Sequence, residues 1–355
     1  MDFPSDMPLT APNSPEGVHV LRWAWARTRP ALETAVSRLP GDLHTIARYH
    51  RGWCGPDGTA TATYGPDAAG KAVRSALVLA ACTGVGGQAE AAVPAAVAVE
   101  LVHDFSLLHD DVMDGDRLRR GRPAAWTVFG IPLTVLAGDA LLSLAIDHLA
   151  HGRGRDGPGG TGCVELFTGC LLELTEGQLK DLLFEARSEV SIDEYTAMAE
   201  GKTGALLGCA CRLGALLGGA GPERSAALGV FGRRLGMVFQ IADDLLGIWG
   251  DPGTTGKPAG SDLRSRKKSY PVIAALSADN AAARQLGKVY RSDRPLNTPE
   301  EVRTVAALVE AAGGRARAVA DADRILAQAL DDVRSSGPEM TALTALAHRL
   351  SRRVR

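Results

Sequence analysis

The chain has 355 residues, 45% of them hydrophobic and 23% charged, the balance of an ordinary globular protein rather than a fibrous or disordered one. A formal net charge of -2 excludes a general nucleic-acid binder, whose footprint would be basic, and an aromatic content of 5% excludes a base-stacking platform. The six cysteines (Cys54, Cys82, Cys163, Cys170, Cys209, Cys211) have no zinc-ligand spacing and read as buried free thiols.

The opening stretch MDFPSDMPLTAPNSPEG is rich in Pro, Ser and Asp, so a disordered tail is expected over 1–17, ahead of one domain over 18–355. It lacks the basic and then apolar order of a signal peptide. Nowhere do eighteen apolar residues run unbroken, so no membrane span is expected and the cytoplasm is the default location. From Val18 onward, apolar residues recur at spacings of three and four. This pattern predicts helices over 30–38, 42–51, 70–83, 91–113, 133–151, 164–188, 192–217, 222–248, 270–276, 299–312 and 316–334. Glycine-rich loops are expected over 151–162 and 250–268, and no convincing strand alternation is present. The fold class is therefore all-α, a single large helical bundle with room for a cavity between its helices.

Two stretches carry the chemistry. LLHDDVMDGDRLRRGRP (Leu107 to Pro123) ends an apolar helix in four aspartates followed by four arginines. Asp110 and Asp114 lie one helical turn apart on one face and repel each other unless a cation sits between them. Carboxylates with no Cys or His partner suit Mg2+, which prefers oxygen and keeps substrate phosphates in its shell. The arginines offer planar forks for phosphate oxygens. Alone, such a motif also fits a solvated helix end and a mixed-charge loop. A second stretch weighs against chance: FQIADDLLGIWGD (Phe239 to Asp251) repeats the design with Asp243 and Asp244, and Lys257, Asp262, Lys267 and Lys268 follow.

These two motifs resemble the first and second aspartate-rich motifs of the trans-isoprenyl diphosphate synthases, or polyprenyl synthetases. GKAVRSALVLAAC (Gly70 to Cys82) resembles that family's upstream basic motif, and AGDALL, TEGQLKD and GKTGAL occur between in the family's order. The likeness runs from about Ala31 to the last helices. It implies an isoprenoid-synthase bundle around a central hydrocarbon cavity, and head-to-tail condensation of isopentenyl diphosphate with dimethylallyl, geranyl or farnesyl diphosphate.

Carried over by residue, the resemblance implies that Asp110, Asp114 and Asp243 hold Mg2+, three ions per site, with Asp111 and Asp244 in support. Arg119, Lys202, Lys257 and Lys267 would contact the allylic diphosphate. Lys71, Arg74, His103 and Arg120 would hold that of isopentenyl diphosphate. Lys202, Thr203 and Gln240 would face the developing allylic cation. Phe105 and Ser106, five and four residues before Asp110, resemble the pattern of enzymes that stop at twenty carbons, so geranylgeranyl diphosphate is the expected product. Farnesyl or longer products are the alternatives, and a homodimer is implied. Three positions depart from the family: Ala72 replaces a frequent second basic residue, Ser75 the usual Pro, and Gly247 the third aspartate of the second motif.

A class I terpene cyclase is the rival enzyme, but its second motif needs an Asn and a Ser on the metal face. The only asparagines here, Asn13, Asn280 and Asn297, lie in no such context. A non-catalytic partner subunit is the other rival, opposed by the intact Asp110, Asp114, Asp243, Arg119 and Lys202.

Overall fold

The computed structural model describes residues 16–61, 72–151, 160–251, 259–292, 294–337 and 339–351. Lys71, Lys257, most of the expected tail and the greater part of both glycine-rich loops lie outside these residues.

The described chain is almost wholly helical: α1 Glu16–Val36, α2 Gly41–Arg51, α3 Val73–Gly84, α4 Ala89–Met113, α5 Ala125–Phe129, α6 Ile131–His151, α7 Gly160–Glu185, α8 Ile192–Ala199, a π-helical turn Glu200–Gly204, α9 Ala205–Leu217, α10 Pro222–Trp249, α11 Ser261–Arg264, α12 Tyr270–Leu276, α13 Ala281–Tyr290, α14 Pro299–Ala311, α15 Gly314–Ser335 and α16 Thr341–Ser351. The all-α expectation holds.

Differences from the periodicity reading have physical causes. Helix α1 begins at Glu16 and runs through Pro30, so Glu16 and Gly17 are helical rather than part of a tail. Its buried stripe of Val20, Leu21, Ala24, Trp25, Thr28 and Leu32 packs on the bundle, and burial outweighs the helix-breaking cost of proline. The expected helix over 192–217 is interrupted by the π turn. Gly177 of α7 abuts the backbone of Gly201 and Lys202 so closely that no Cβ fits there. Such bulges recur at functional sites because they swing side chains off the regular helical face.

Helices α6, α4, α3, α9, α10 and α15 pack successively on one another and enclose the core. Leu32, Ile46, Leu77, Leu101, Phe167, Tyr195 and Phe231 are fully buried. Each such burial is worth roughly 1.5–3 kcal/mol against exposure. All six cysteines are buried, and none is in a disulfide among the described residues. Helices α4 and α6 have the length and apolarity to cross a membrane, but 61% of the α4 window is buried within the bundle. The one sheet among the described residues is a two-residue hairpin that the sequence pattern did not show, Leu118–Arg119 (β1) against Arg122–Pro123 (β2).

Candidate active site

Helix α4 delivers the first acidic motif to one end of the bundle. Its C-terminal cap is Asp114, whose N–H donates to the Asp110 carbonyl at 2.8 Å. Burial pushes the Asp110 carboxyl up to about 6, with Lys202 pulling it down and Asp114 pushing it further up. Asp114 is raised for the same reason, by burial against the pull of Lys202 and Lys267. Two acids whose carboxyls are raised by burial, yet that face the ammonium groups of Lys202 and Lys267, form a partly desolvated oxygen-only donor set. A hard divalent cation would favour the charged form of both, so the residues fit Mg2+. Among the described residues no three His, Cys, Asp or Glu side chains close on one point.

Asp111 is 1% exposed, with its Oδ1 accepting from Arg119 Nε at 2.8 Å and from Arg119 Nη2. The hairpin then sorts the arginines. Its two-residue turn, Arg120–Gly121, has positive φ at both positions (55° and 73°), the primed geometry that matches strand twist. Arg119 lies on the Asp110 side, whereas Arg120 reaches a second pocket.

The opposite wall is α7, the π turn and the segment after α10. Lys202 Nζ donates to Asp181 Oδ2 at 2.6 Å, and Lys267 Nζ lies 4.0 Å from the same oxygen. Burial pushes Asp181 up, but Lys267 and Lys202 outweigh it and hold the carboxyl below its ordinary range. Burial lowers Lys267, yet Asp181, Asp244, Asp262 and Asp114 together raise it. This one ammonium therefore ties the first acidic motif to the second. Asp181 and Lys267 border a cleft of about 340 Å3 whose rim also includes Asp114, Phe184 and Asp262.

Sequence reasoning missed Asp181 as a site residue, although TEGQLKD contained it. The missed signal was its register, three residues after Gln178, which shares its helix face. Gln178 is 7% exposed and neither amide atom has a hydrogen-bond partner among the described residues.

The second motif, on α10, is built as a chain of hydrogen bonds. Thr203 Oγ1 donates to Gln240 Oε1 at 2.8 Å, and Gln240 Nε2 donates to Asp244 Oδ1 at 3.1 Å. A carboxylate accepts only, which fixes the amide with its oxygen toward Thr203. Asp244 also accepts from Tyr195 OH at 2.5 Å and from the Tyr270 N–H at 2.7 Å. Burial pushes Asp244 up to about 6. Asp243 lies within electrostatic reach of Arg74 on α3.

A second, enclosed pocket gathers Arg74, His103 and Arg120 with Arg51, Glu100 and Asp104. Burial lowers Arg74, against the pull of Glu100 and Asp243, and its Nε has no hydrogen-bond partner among the described residues. His103 is held well below its ordinary value by burial and then by Arg74, Arg120, Arg51 and His50, so it is neutral at pH 7. Phe105 and Ser106 lie between the two pockets in sequence: the Phe105 ring meets His109 edge-on at 4.8 Å, and Ser106 Oγ donates to the His103 carbonyl at 2.9 Å.

The polyprenyl synthetase family profile matches residues 59–309. The chain is 44% identical over 334 residues to a geranylgeranyl diphosphate synthase of Mycobacterium tuberculosis, covering 93% of each protein. It is 41% identical over 334 residues to a (2E,6E)-farnesyl diphosphate synthase of Mycobacterium bovis, covering 93% of this chain and 91% of that one. A crystal structure of a polyprenyl synthetase from Streptomyces coelicolor A3(2) superposes with a TM-score of 0.86 at 41% identity, covering 94% of this chain and 98% of that one.

Proposed function

This chain belongs to the polyprenyl synthetase family and is a prenyltransferase, and from that premise we propose that it condenses isopentenyl diphosphate head-to-tail with an allylic diphosphate to yield geranylgeranyl diphosphate. One observation carries the reading: the helix that bears Asp110 contributes to two separate pockets lined by charged side chains, through Asp114 at its C-terminal cap and through Glu100, His103 and Asp104 further back. One is rimmed by acids and lysines, the other by arginines. A reaction that joins two diphosphates needs both.

Asp110 and Asp114 would hold magnesium from one wall and Asp243 from the other, with three ions per site. When bound, the metal draws off charge that builds on the departing allylic diphosphate. Lys202, Lys267 and Arg119 contact the same diphosphate, and Lys257 is assigned there from its place in the sequence. Thr203 and Gln240 present locked dipoles to the allylic cation, and that preorganisation spares reorientation during the reaction. Arg74, Arg120 and neutral His103, with Lys71 from the sequence, hold the diphosphate of isopentenyl diphosphate.

Product length rests on Phe105 and Ser106 on the face of α4 that leads away from Asp110. A half-buried ring with a small hydroxyl beside it supports twenty carbons over fifteen, and the mycobacterial geranylgeranyl synthase agrees, although a farnesyl synthase stands nearly as near in identity. A homodimer is supported by an exposed apolar face on α6 and α7, where Ile131, Leu136, Leu172, Leu179 and Leu183 are half or more exposed. Six free, buried thiols suit the cytoplasm.

The test is a product assay on the purified chain with Mg2+, labelled isopentenyl diphosphate and each allylic primer in turn. A single twenty-carbon alcohol released only by phosphatase is expected. A hydrocarbon formed without phosphatase and without isopentenyl diphosphate would make the chain a cyclase, and no turnover would make it a partner-dependent subunit.

A further inference from the structure

The arginine-lined pocket contains a residue that the sequence motifs do not assign. Position 72, where the family often has a second basic residue, is an alanine that lines this pocket and is 2% exposed. Arg51 faces the same pocket from another element. It is the last residue of α2, which stops at Gly52 in the left-handed region (φ 73°). Its side chain is 6% exposed.

Its guanidinium is fixed on several sides. Nη2 donates to the Glu100 carbonyl at 3.2 Å and lies 3.4 Å from Glu100 Oε2, while Nε pairs with Asp104. The Trp53 ring is 5.4 Å away. Glu100 is itself anchored, because its Oε1 accepts from the Ser75 N–H at 3.1 Å and from Ser75 Oγ at 2.9 Å. Proline, the family's usual residue at that position, has neither donor. Both departures from the family therefore converge on Arg51. One removes a charge from the pocket, and the other anchors the carboxylate that holds Arg51 in place.

Charge arithmetic decides what Arg51 contributes. Among the described lining residues three guanidiniums (Arg51, Arg74, Arg120) face two carboxylates (Glu100, Asp104), a surplus of one positive charge with His103 neutral. Without Arg51 the charges of the described lining cancel, so that lining would lend a dianion no net attraction beyond the Lys71 charge assigned from the sequence. The plainer role, neutralising two buried acids, accounts for the ion pairs but not for their location beside Arg74 and Arg120.

We propose that Arg51 is a further binding residue of the isopentenyl diphosphate pocket, supplying the guanidinium charge that position 72 lacks, with Glu100 as its positioning residue. This rests on the prenyl-transfer reading and extends it to a group outside the family's motifs.

The experiment is steady-state kinetics on the full chain, varying each substrate with the other saturating. Arg51→Gln should raise KM for isopentenyl diphosphate about 30-fold, the range for losing a hydrogen bond to a charged group, and leave KM for the allylic substrate within twofold. Adding Ala72→Lys to that variant should restore at least a third of the loss, since Ala72 already holds its left-handed conformation (φ 78°) with a Cβ present. Ser75→Pro should raise the same KM severalfold. Should Arg51→Gln fail to fold, Arg51→Lys keeps a charge without the fork and should raise only that KM, by about tenfold. An unchanged KM for isopentenyl diphosphate, or equal rises for both substrates, overturns the assignment of Arg51 alone. A parent chain that condenses no pair of substrates overturns the prenyl-transfer reading and this inference with it.

Discussion

The carboxylate of Asp262 occupies the space that a side chain at Gly247 would fill. A Cβ built on Gly247 would fall well inside contact distance of the Asp262 carboxyl group. The third aspartate missing from the second motif is thus matched by an acid arriving from α11, where Asp262 accepts a bond from Ser261 Oγ at 3.2 Å and acts on Lys267. Gly247→Asp should therefore not improve the enzyme. Two acids would compete for one place, displacing Lys267 and lowering kcat about 100-fold, the order expected for an ångström of misplacement. The double variant Gly247→Asp with Asp262→Ala should recover part of that loss. Turnover measured on all three variants decides it, and an active Gly247→Asp single variant would show that the space is not shared.

Removing the charge at Asp110 separates stability from activity. Asp110→Ala should cost about 1,000-fold or more in turnover with its helical circular dichroism nearly unchanged. Turnover within tenfold of the parent would remove Asp110 from the metal-holding set.

The same residue sets a pH dependence in metal-free protein. Its folded carboxyl titrates at about 6 against an ordinary 3.8, so the fold holds that proton more tightly than the unfolded chain does. The stability it contributes is fully present below about 3.8 and is lost as pH rises through about 6. In EDTA, Asp110→Asn should melt roughly 3 °C above the parent at pH 7.5, with the gap closing by pH 4. Magnesium with inorganic diphosphate should reverse the order at pH 7.5. Melting curves at the two pH values check this, and a gap independent of pH would contradict the burial argument.

Lys202 is held between α7 and the π turn by Asp181, so its ammonium is already aimed before substrate arrives. Lys202→Ala should lower kcat about 100- to 1,000-fold with a smaller change in either KM, the signature of a group acting mainly on developing charge. A rise confined to KM would make it a ground-state contact.

Chain length is tested on the face of α4 below Asp110. Ser106→Phe should shorten the product, from the proposed twenty carbons toward fifteen, read by mass analysis after phosphatase. An unchanged product would remove Phe105 and Ser106 from the length argument.

The helical class and the two acidic helix ends were legible in the sequence because periodicity and i, i+4 spacing are local properties, whereas the basic motif was readable only through its family resemblance. Asp110 and Asp114 share a face in any α-helix, whatever surrounds it. The π turn at Glu200–Gly204 was not legible, because it follows from the close approach of Gly177 to another segment. The hairpin was too short for alternation to register, yet it keeps Arg119 within electrostatic reach of Asp110 and puts Arg120 in the arginine-lined pocket.

Partnership across distant segments was decided only by packing. Asp181 with Lys202, Arg51 with Glu100 and Asp262 over Gly247 are each separated by many residues, and no local pattern encodes their meeting. The sequence by itself determined which charges exist and which helices end in them. The tertiary structure determined which charges share a buried space, and in a medium where an unpaired charge is costly, that sharing sets their protonation and what each can hold.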